Sequence, residues 1–555
     1  MLTKLALYFR TVRYLRPIQI YGRFKKYLYY PKPDISSAPG LRKLSGEWQT
    51  PIAKKQSLLA PQKFRFNNVE MDLREHGDYS AHMVDRLWLY NYHYFDDLTS
   101  LGWQERNAWH KAWLERWVRE NPPSIGCGWE PYPTSLRIVN WIKWVLSGNE
   151  LPAECLHSLA IQVRWLSKHM EIHLLGNHLF ANAKALVFAG LFFDGKEADG
   201  WLRHGLKVLA QEIPVQILQD GGHFERSVMY HSIALEDMMD LYNITGAFTD
   251  AISSGLRRDS GIFSWPGIID KMRRWLSVMS HPDGDISFFN DSVIGGAPVS
   301  ADIEAYAKRL ALSVLSQITD GVIYLSDSGY ARLQSGAMTA ILDTALIGPD
   351  YLPGHAHADT LSFELSLLKQ RIFVNSGISC YGDSQTRRTQ RGTGAHNTMR
   401  INGIDSSEVW NSFRVARRAR IIEAAAGLRD GVLYAEAAHD GYKFMPGQPI
   451  HQRSWRMLEN KLCITDSVNG FDKIFVEIYF HLHPALCPIQ EDAKEITVQN
   501  QSGERILLIK VISDGDLAIE RYAWHPEFGL SLPSKRLVFR KEAVPPAVFE
   551  FHIEI

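Results

Sequence analysis

The chain has 555 residues, 45% of them hydrophobic and 22% charged, with 61 Lys+Arg balancing 61 Asp+Glu. That length exceeds one ordinary hydrophobic core, so two large domains are expected. A formal charge of zero excludes a molecule that gathers nucleic acid or polyanions by its overall field; an acidic ligand must meet a local basic site.

Residues 1–84 read as a basic N-terminal segment and lead-in. The first thirty lack the apolar core of a signal peptide, and basic residues alternate with large apolar ones: Leu2, Lys4, Leu5, Tyr8, Arg10, Arg13, Leu15, Arg16, Tyr21, Arg23, Lys25 and Lys26, with Asp34 the first acid. Such a stretch suits peripheral contact with an anionic membrane. It equally suits an amphipathic helix docked on the protein's own body. No apolar run reaches the ~18 residues that cross a bilayer, so a cytoplasmic place, or a peripheral one at the inner membrane, is expected. Five scattered cysteines (Cys127, Cys155, Cys380, Cys463, Cys487) without a Cys-x-x-Cys spacing speak against a disulfide framework and for a reducing compartment.

From 85 to 318 the apolar period is helical, with helices predicted over 105–119, 133–147, 153–170, 177–193, 200–212, 228–243 and 300–316. The segment NHLFANAKALVFAGLFF (177–193) is apolar nearly all round, which marks an inner helix and suggests an α/α toroid. From 319 to 555 the period becomes two. In LSFELSLL, Leu361, Phe363, Leu365 and Leu367 face one way and Ser362, Glu364 and Ser366 the other; RIFVNSG, GVLYAEAA, KLCITDSV, KIFVEIYFHLH, RILLIKVIS and RLVFRKE continue the series. Many short strands predict an antiparallel β-sandwich.

Four clusters carry candidate chemistry. Asn177 and His178 open the inner helix, and Asn182 shares a face with His178 four residues on; a braced core His and Asn is the alternative. In DGGHFERSVMYHSIAL (220–235), Arg226 stands one turn before Tyr230, where its charge would lower the phenol pKa from ~10. In GHAHADTLSFELS (354–366), His355 and His357 face one side of an extended chain, as half a zinc site or as one ligand beside one catalytic group. Tyr381 precedes RRTQRGTGAHNT (387–398), whose Arg387, Arg388 and Arg391 offer forks for carboxylate or sulfate, unless they belong to a solvated loop. Trp129, Tyr132, Arg137, Asn140 and Trp141 form an aromatic-polar stretch that could stack on sugars or simply pack helices.

GNHLFANAKAL, DGGHFERSVMYH, HAHADTLSFEL followed by VNSG, and AHNT stand here in the order found in heparinase II/III-like polysaccharide lyases, and the chain resembles that family over nearly its whole length. The Trp-Glu-Pro-Tyr segment and the basic start are similar to the branch associated with bacterial surface-polysaccharide synthesis. The resemblance implies an α/α toroid followed by a β-sandwich, and β-elimination on an acidic, uronate-containing glycan. It implies that Asn177 and His178 meet the uronate carboxylate, that Tyr230 is the acid, and that His355 or Tyr381 is the base, according to the C5 configuration of the uronate. It further implies His357 and His396 as zinc ligands. Metal-binding members carry Asp at the middle ligand position, and Asn375 stands there instead, so a structural zinc is expected to bind less firmly.

β-Elimination removes the proton α to the carboxylate and expels the glycosidic oxygen, so donors must stabilise the enolate-like state while a base and an acid reach opposite ends of the breaking pattern. Because Tyr230 and His355 lie in different halves, they are expected to approach opposite sides of the sugar. Two rival readings stand beside this one. An α/α-toroid glycoside hydrolase would use Glu225, Asp283, Asp285 or Asp291 as paired carboxylates. A non-catalytic protein of glycan assembly would bind without turnover.

Overall fold

The computed structural model describes residues 2–73 and 85–555. Two basic helices come first, α1 (Leu2–Val12) and α2 (Pro17–Leu28). An extended stretch then wraps the helical half, and a small antiparallel sheet (Leu58–Ala60, Lys63–Phe66, Val69–Asp72) follows; its second and third strands alternate polar and apolar residues about Asn67 and Asn68, a hairpin within the segment expected to be a lead-in.

The helical half contains α3 (Arg86–Tyr94), α4 (Asn107–Glu120), α5 (Pro131–Leu146), α6 (Ala153–Lys168), α7 (Gly176–Phe192), α8 (Lys196–Gln216), α9 (Val228–Ala247), α10 (Ser254–Asp259), α11 (Trp265–Val278) and α12 (Ser300–Arg309). Helix α7 packs against α5, α8 and α9, and from Leu179 to Phe192 every residue is buried, as its all-round apolarity predicts. Helix α12 ends at Arg309, short of the expected 316.

Strands begin at Gly321, close to the predicted change of period. A five-stranded antiparallel sheet runs in chain order, from Gly321–Leu325 to Gln370–Phe373. An eight-stranded sheet receives the last strand, Ala547–Glu554, between Lys461–Asn469 and Arg505–Val511. A four-stranded sheet completes the sandwich, and the strands' inner faces share one apolar core. The strand Phe363–Leu367 alternates as expected, yet both of its faces are buried. Its polar face meets the helical half: Glu364 accepts from the Phe288 amide at 3.1 Å and pairs with His281 at 2.8 Å, while Ser366 bonds the other nitrogen of His281 at 2.8 Å. A buried carboxylate is tolerated here because both of its oxygens have donors, the Asn375 amide serving Oε1 at 2.7 Å.

Candidate active site

Helix α7 starts from a constrained turn. Leu175 has φ 66°, and Gly176 has φ 55°, where an added Cβ would strike Leu352 and approach Glu225 Oε1 at 2.9 Å, so glycine is required. The turn sets Asn177 and His178 on the first, electropositive turn of a 17-residue helix. His178 Nδ1 stands 3.1 Å from Glu171 Oε2, and its ring lies 4.5 Å from that of Tyr132. Burial works against the imidazolium, but the charge of Glu171 outweighs it and raises the His178 pKa. Asn182 does share the face of His178, though not as a ligand group. It is fully buried, accepting from the Glu171 amide at 2.7 Å and donating to Ser135 at 3.0 Å, so it positions Glu171.

Tyr230 projects from α9, whose N-cap Ser227 accepts from the Tyr230 amide at 3.1 Å. Its hydroxyl is 3.1 Å from that of Tyr381, and its ring stacks on the imidazole of His355 at 3.8 Å. Tyr230 and Tyr381 line a cleft of about 430 Å³ together with Tyr94, Asp96, Tyr132 and Lys54. Tyr94, Asp96 and Lys54 carried no signal in the sequence. The expected lowering of the Tyr230 phenol does not occur. Arg226 precedes the helix, at φ 59°, and turns its guanidinium to the carbonyls of Ser328 (2.9 Å) and Leu346 (3.2 Å). Burial, with the neighbouring Tyr381, instead holds the phenol well above its ordinary value, and burial does the same for Tyr381. Both are neutral donors near neutral pH.

His355 and His357 face one side, as their spacing predicts, and both are held by Asp291. His355 Nδ1 lies 2.9 Å from Oδ2 and His357 Nε2 lies 2.8 Å from Oδ1, while Arg387 Nη2 donates to Oδ2 at 2.7 Å. Asp291 is fully buried, which opposes ionisation, but Arg387 and the two imidazoles hold its carboxyl well below the usual range. Ionised Asp291 favours the His355 tautomer with hydrogen on Nδ1 and a lone pair on Nε2. Nε2 is 3.6 Å from Glu225 Oε2, a carboxylate whose pKa burial raises.

Several expected ligand groups belong to the core instead. Trp129 is buried and donates to the Asn121 carbonyl at 3.1 Å; Trp141 is fully buried against Phe95 and Trp117. Arg137, also fully buried, stacks over Trp117 at 3.9 Å and donates to Gln162 at 2.9 Å. Of that stretch, Tyr132 reaches the cleft. Arg391 is buried against the carbonyls of Ala356, Asn411 and Ser412, and exposed Arg388 pairs with Asp383 at 2.6 Å. Among the hydrolase candidates, Asp291 is committed to its three partners, and Asp283 to Arg371 at 2.6 Å. None of Glu225, Asp283, Asp285 and Asp291 is among the residues that line the cleft.

A metal-type cluster lies behind the site. His357, Asp359 and His396, all buried, bring ligand atoms within 4.8 Å of one another. Both ring nitrogens of His396 and Nδ1 of His357 are buried without a hydrogen-bond partner, a costly arrangement that a cation would relieve. Asn375 is also buried, but its side-chain oxygen accepts from the Asn397 amide at 3.3 Å. Asp359, which carried no metal signal in the sequence, is the one carboxylate of this cluster, where Asn375 offers none.

Residues 86–311 match the model described as Heparinase II/III N-terminus, and residues 318–550 match Heparinase II/III-like, C-terminal. The chain belongs to the heparinase II/III-like family. Similar to this heparinase II/III-like chain are a heparin-sulfate lyase of Bacteroides stercoris, 27% identical over 43% of this chain and 39% of the relative, and one of Bacteroides thetaiotaomicron, 23% identical over 60% and 52%. The matched part thus spans about half, or less, of those relatives. FtsZ-localized protein C of Caulobacter vibrioides is 22% identical over 71% of this chain and 67% of the relative. In fold, the heparinase II/III-like chain is similar to a crystal structure of heparinase III (TM-score 0.65, 17% identity, 83% of this chain and 75% of that one) and to heparan sulfate lyase HepC of Pedobacter heparinus (TM-score 0.58, 19% identity, 97% and 87%). These likenesses agree with an α/α toroid followed by an antiparallel β-sandwich.

Proposed function

We propose that the chain is a polysaccharide lyase that cleaves a uronate-containing glycan by β-elimination. The observation that carries this reading is the meeting of a phenol from the helical half with a phenol and an imidazole from the strand half: Tyr230 and Tyr381 line one cleft, their hydroxyls 3.1 Å apart, and the ring of His355 stacks on Tyr230. His178, whose imidazolium form Glu171 favours, and Asn177 at the start of α7 suit the uronate carboxylate, where donors stabilise the enolate-like state. With both phenols neutral, Tyr230 serves as the acid that protonates the leaving oxygen, and the Nε2 lone pair of His355 takes the proton. Because the two rings stack rather than face each other, the reading favours acid and base acting from one side of the sugar, a syn elimination, over the approach from opposite sides.

The cations along the cleft favour a sparsely charged substrate. Lys54 pairs with Glu236 at 2.6 Å, Lys55 lies 4.0 Å from Glu527, and Arg65 pairs with Glu70. Walls of paired charge suit isolated carboxylates better than dense sulfate. His357, Asp359 and His396 would hold a zinc ion, which when bound supplies a structural clamp behind the loop of His355. The test is incubation with a panel of uronate polysaccharides, sulfated and unsulfated, followed by ultraviolet absorbance of the unsaturated product. A hydrolase would release saturated reducing ends without that absorbance.

The match to FtsZ-localized protein C, whose name describes a location rather than a reaction, supports a second reading in which the fold binds without turnover. Glycan binding in the absence of any new absorbance across the panel would favour it.

A further inference from the structure

The two N-terminal helices dock on the body by one face and leave the other apolar. Tyr8 packs edge-on against Trp410 at 5.1 Å, Arg10 forks onto Glu408, and Thr11 accepts from Trp410 Nε1 at 3.1 Å. On α2, buried Gln19 donates to the Tyr351 carbonyl and buried Gly22 lies against the His173 backbone. At 100° per residue the opposite face of α1 carries Leu5, Phe9 and Val12, and that of α2 carries Phe24, Tyr27 and Leu28. All six are exposed, Leu28 to 82% and Tyr27 to 75%.

Residues 1–30 hold 12 of the 35 exposed large apolar side chains of the described residues, a density that solvent alone does not favour. Cations rim each stripe. Lys4 and Arg13 lie about 100° and 80° to either side of Leu5, and Arg23 and Lys25 about 100° to either side of Phe24. None of the four pairs with an acid among the described residues. Lys25 and Lys26 also line, with Lys168, a cavity of about 230 Å³ between α2 and the toroid.

An apolar stripe between rows of unpaired cations is the profile of a helix that lies in the plane of an anionic bilayer surface. We infer that α1 and α2 form a peripheral membrane-binding face, which seats the protein on anionic phospholipid by the stripes centred on Phe9 and Phe24. The docked side meets the expectation of an amphipathic helix lying on the protein's own body; the outer side carries the membrane proposal. The inference does not depend on the lyase reading.

The test is sedimentation of the full-length protein with vesicles of phosphatidylcholine alone and with about 30% phosphatidylglycerol, at low and high salt. Binding is expected to the anionic vesicles and to weaken with salt. The double variant Phe24→Ser/Leu28→Ser is expected to lose about a hundredfold in vesicle affinity, and Arg23→Glu/Lys25→Glu to abolish the preference for anionic lipid. Both alter exposed side chains, so their thermal midpoints should match the wild type. Absence of binding to anionic vesicles, or equal binding by both variants, overturns the proposal. So does a stable dimer in sedimentation velocity that the Phe24→Ser/Leu28→Ser variant dissolves, because the face would then be an interface between two copies.

Discussion

The phenol ring of Tyr230 stacks on the imidazole of His355 with centroids 3.8 Å apart, although the two residues are 125 positions apart and come from different halves of the chain. The contact places side by side the two groups that the proposed reaction uses as acid and base.

Tyr230→Phe keeps the stack and removes the proton donor. Its turnover on a uronate substrate should fall about a thousandfold, the scale of a positioned acid, with an unchanged melting curve. Near-normal absorbance from the Phe variant would remove Tyr230 from the chemistry.

Asp291→Asn leaves Arg387 buried without its anion. A loss of about 3–5 kcal/mol is expected, since breaking a buried pair strands the other charge, and it should appear as a lower midpoint in urea. A variant as stable as the parent would show that the Arg387–Asp291 pair does not hold the halves together.

Glu171 raises the His178 pKa above its unfolded value, so the imidazolium and its contribution to stability are fully present below that unfolded value and are lost as pH rises through the folded one. Glu171→Gln should therefore move the alkaline fall of kcat/KM to lower pH, mainly through KM. An unmoved pH profile would separate His178 from carboxylate binding.

Zinc content after dialysis, read by atomic emission, should be about one ion per chain for the wild type, as for a single structural site. It should fall sharply in His396→Ala and Asp359→Asn. Asn375→Asp should retain zinc against a stronger chelator than the wild type does. Equal, negligible zinc in all four proteins would leave the cluster without a metal role.

Trp141→Ala should cost about 3–5 kcal/mol of stability as a cavity forms beside Trp117, with KM unchanged. A raised KM in a normally stable variant would return Trp141 to a sugar subsite.

The sequence was informative where a period repeats. The apolar run at 177–193 became α7, and LSFELSLL became a strand with the alternation expected of it. Pairs at short spacing were also legible: His355 and His357 do face one partner, and His178 and Asn182 do share Glu171. What neither period nor spacing encodes is the partner itself. Glu171 is a single acid in an unremarkable segment, Asp291 stood only as a candidate hydrolase acid, Asp359 lay unnoticed inside GHAHADTLSFELS, and the roles of all three depend on long-range packing. The same limit misled the reading of Trp129, Arg137, Trp141 and Arg391, because a side chain able to stack on a sugar or hold a sulfate is equally able to fill a core.

One carboxylate from the helical half, Asp291, sets the orientation of two rings carried by the strand half. Swinging the halves apart would release both imidazoles and Arg387 together. On the lyase reading, the groups proposed to act are therefore already assembled before a glycan reaches the cleft lined by Tyr132 and Phe528.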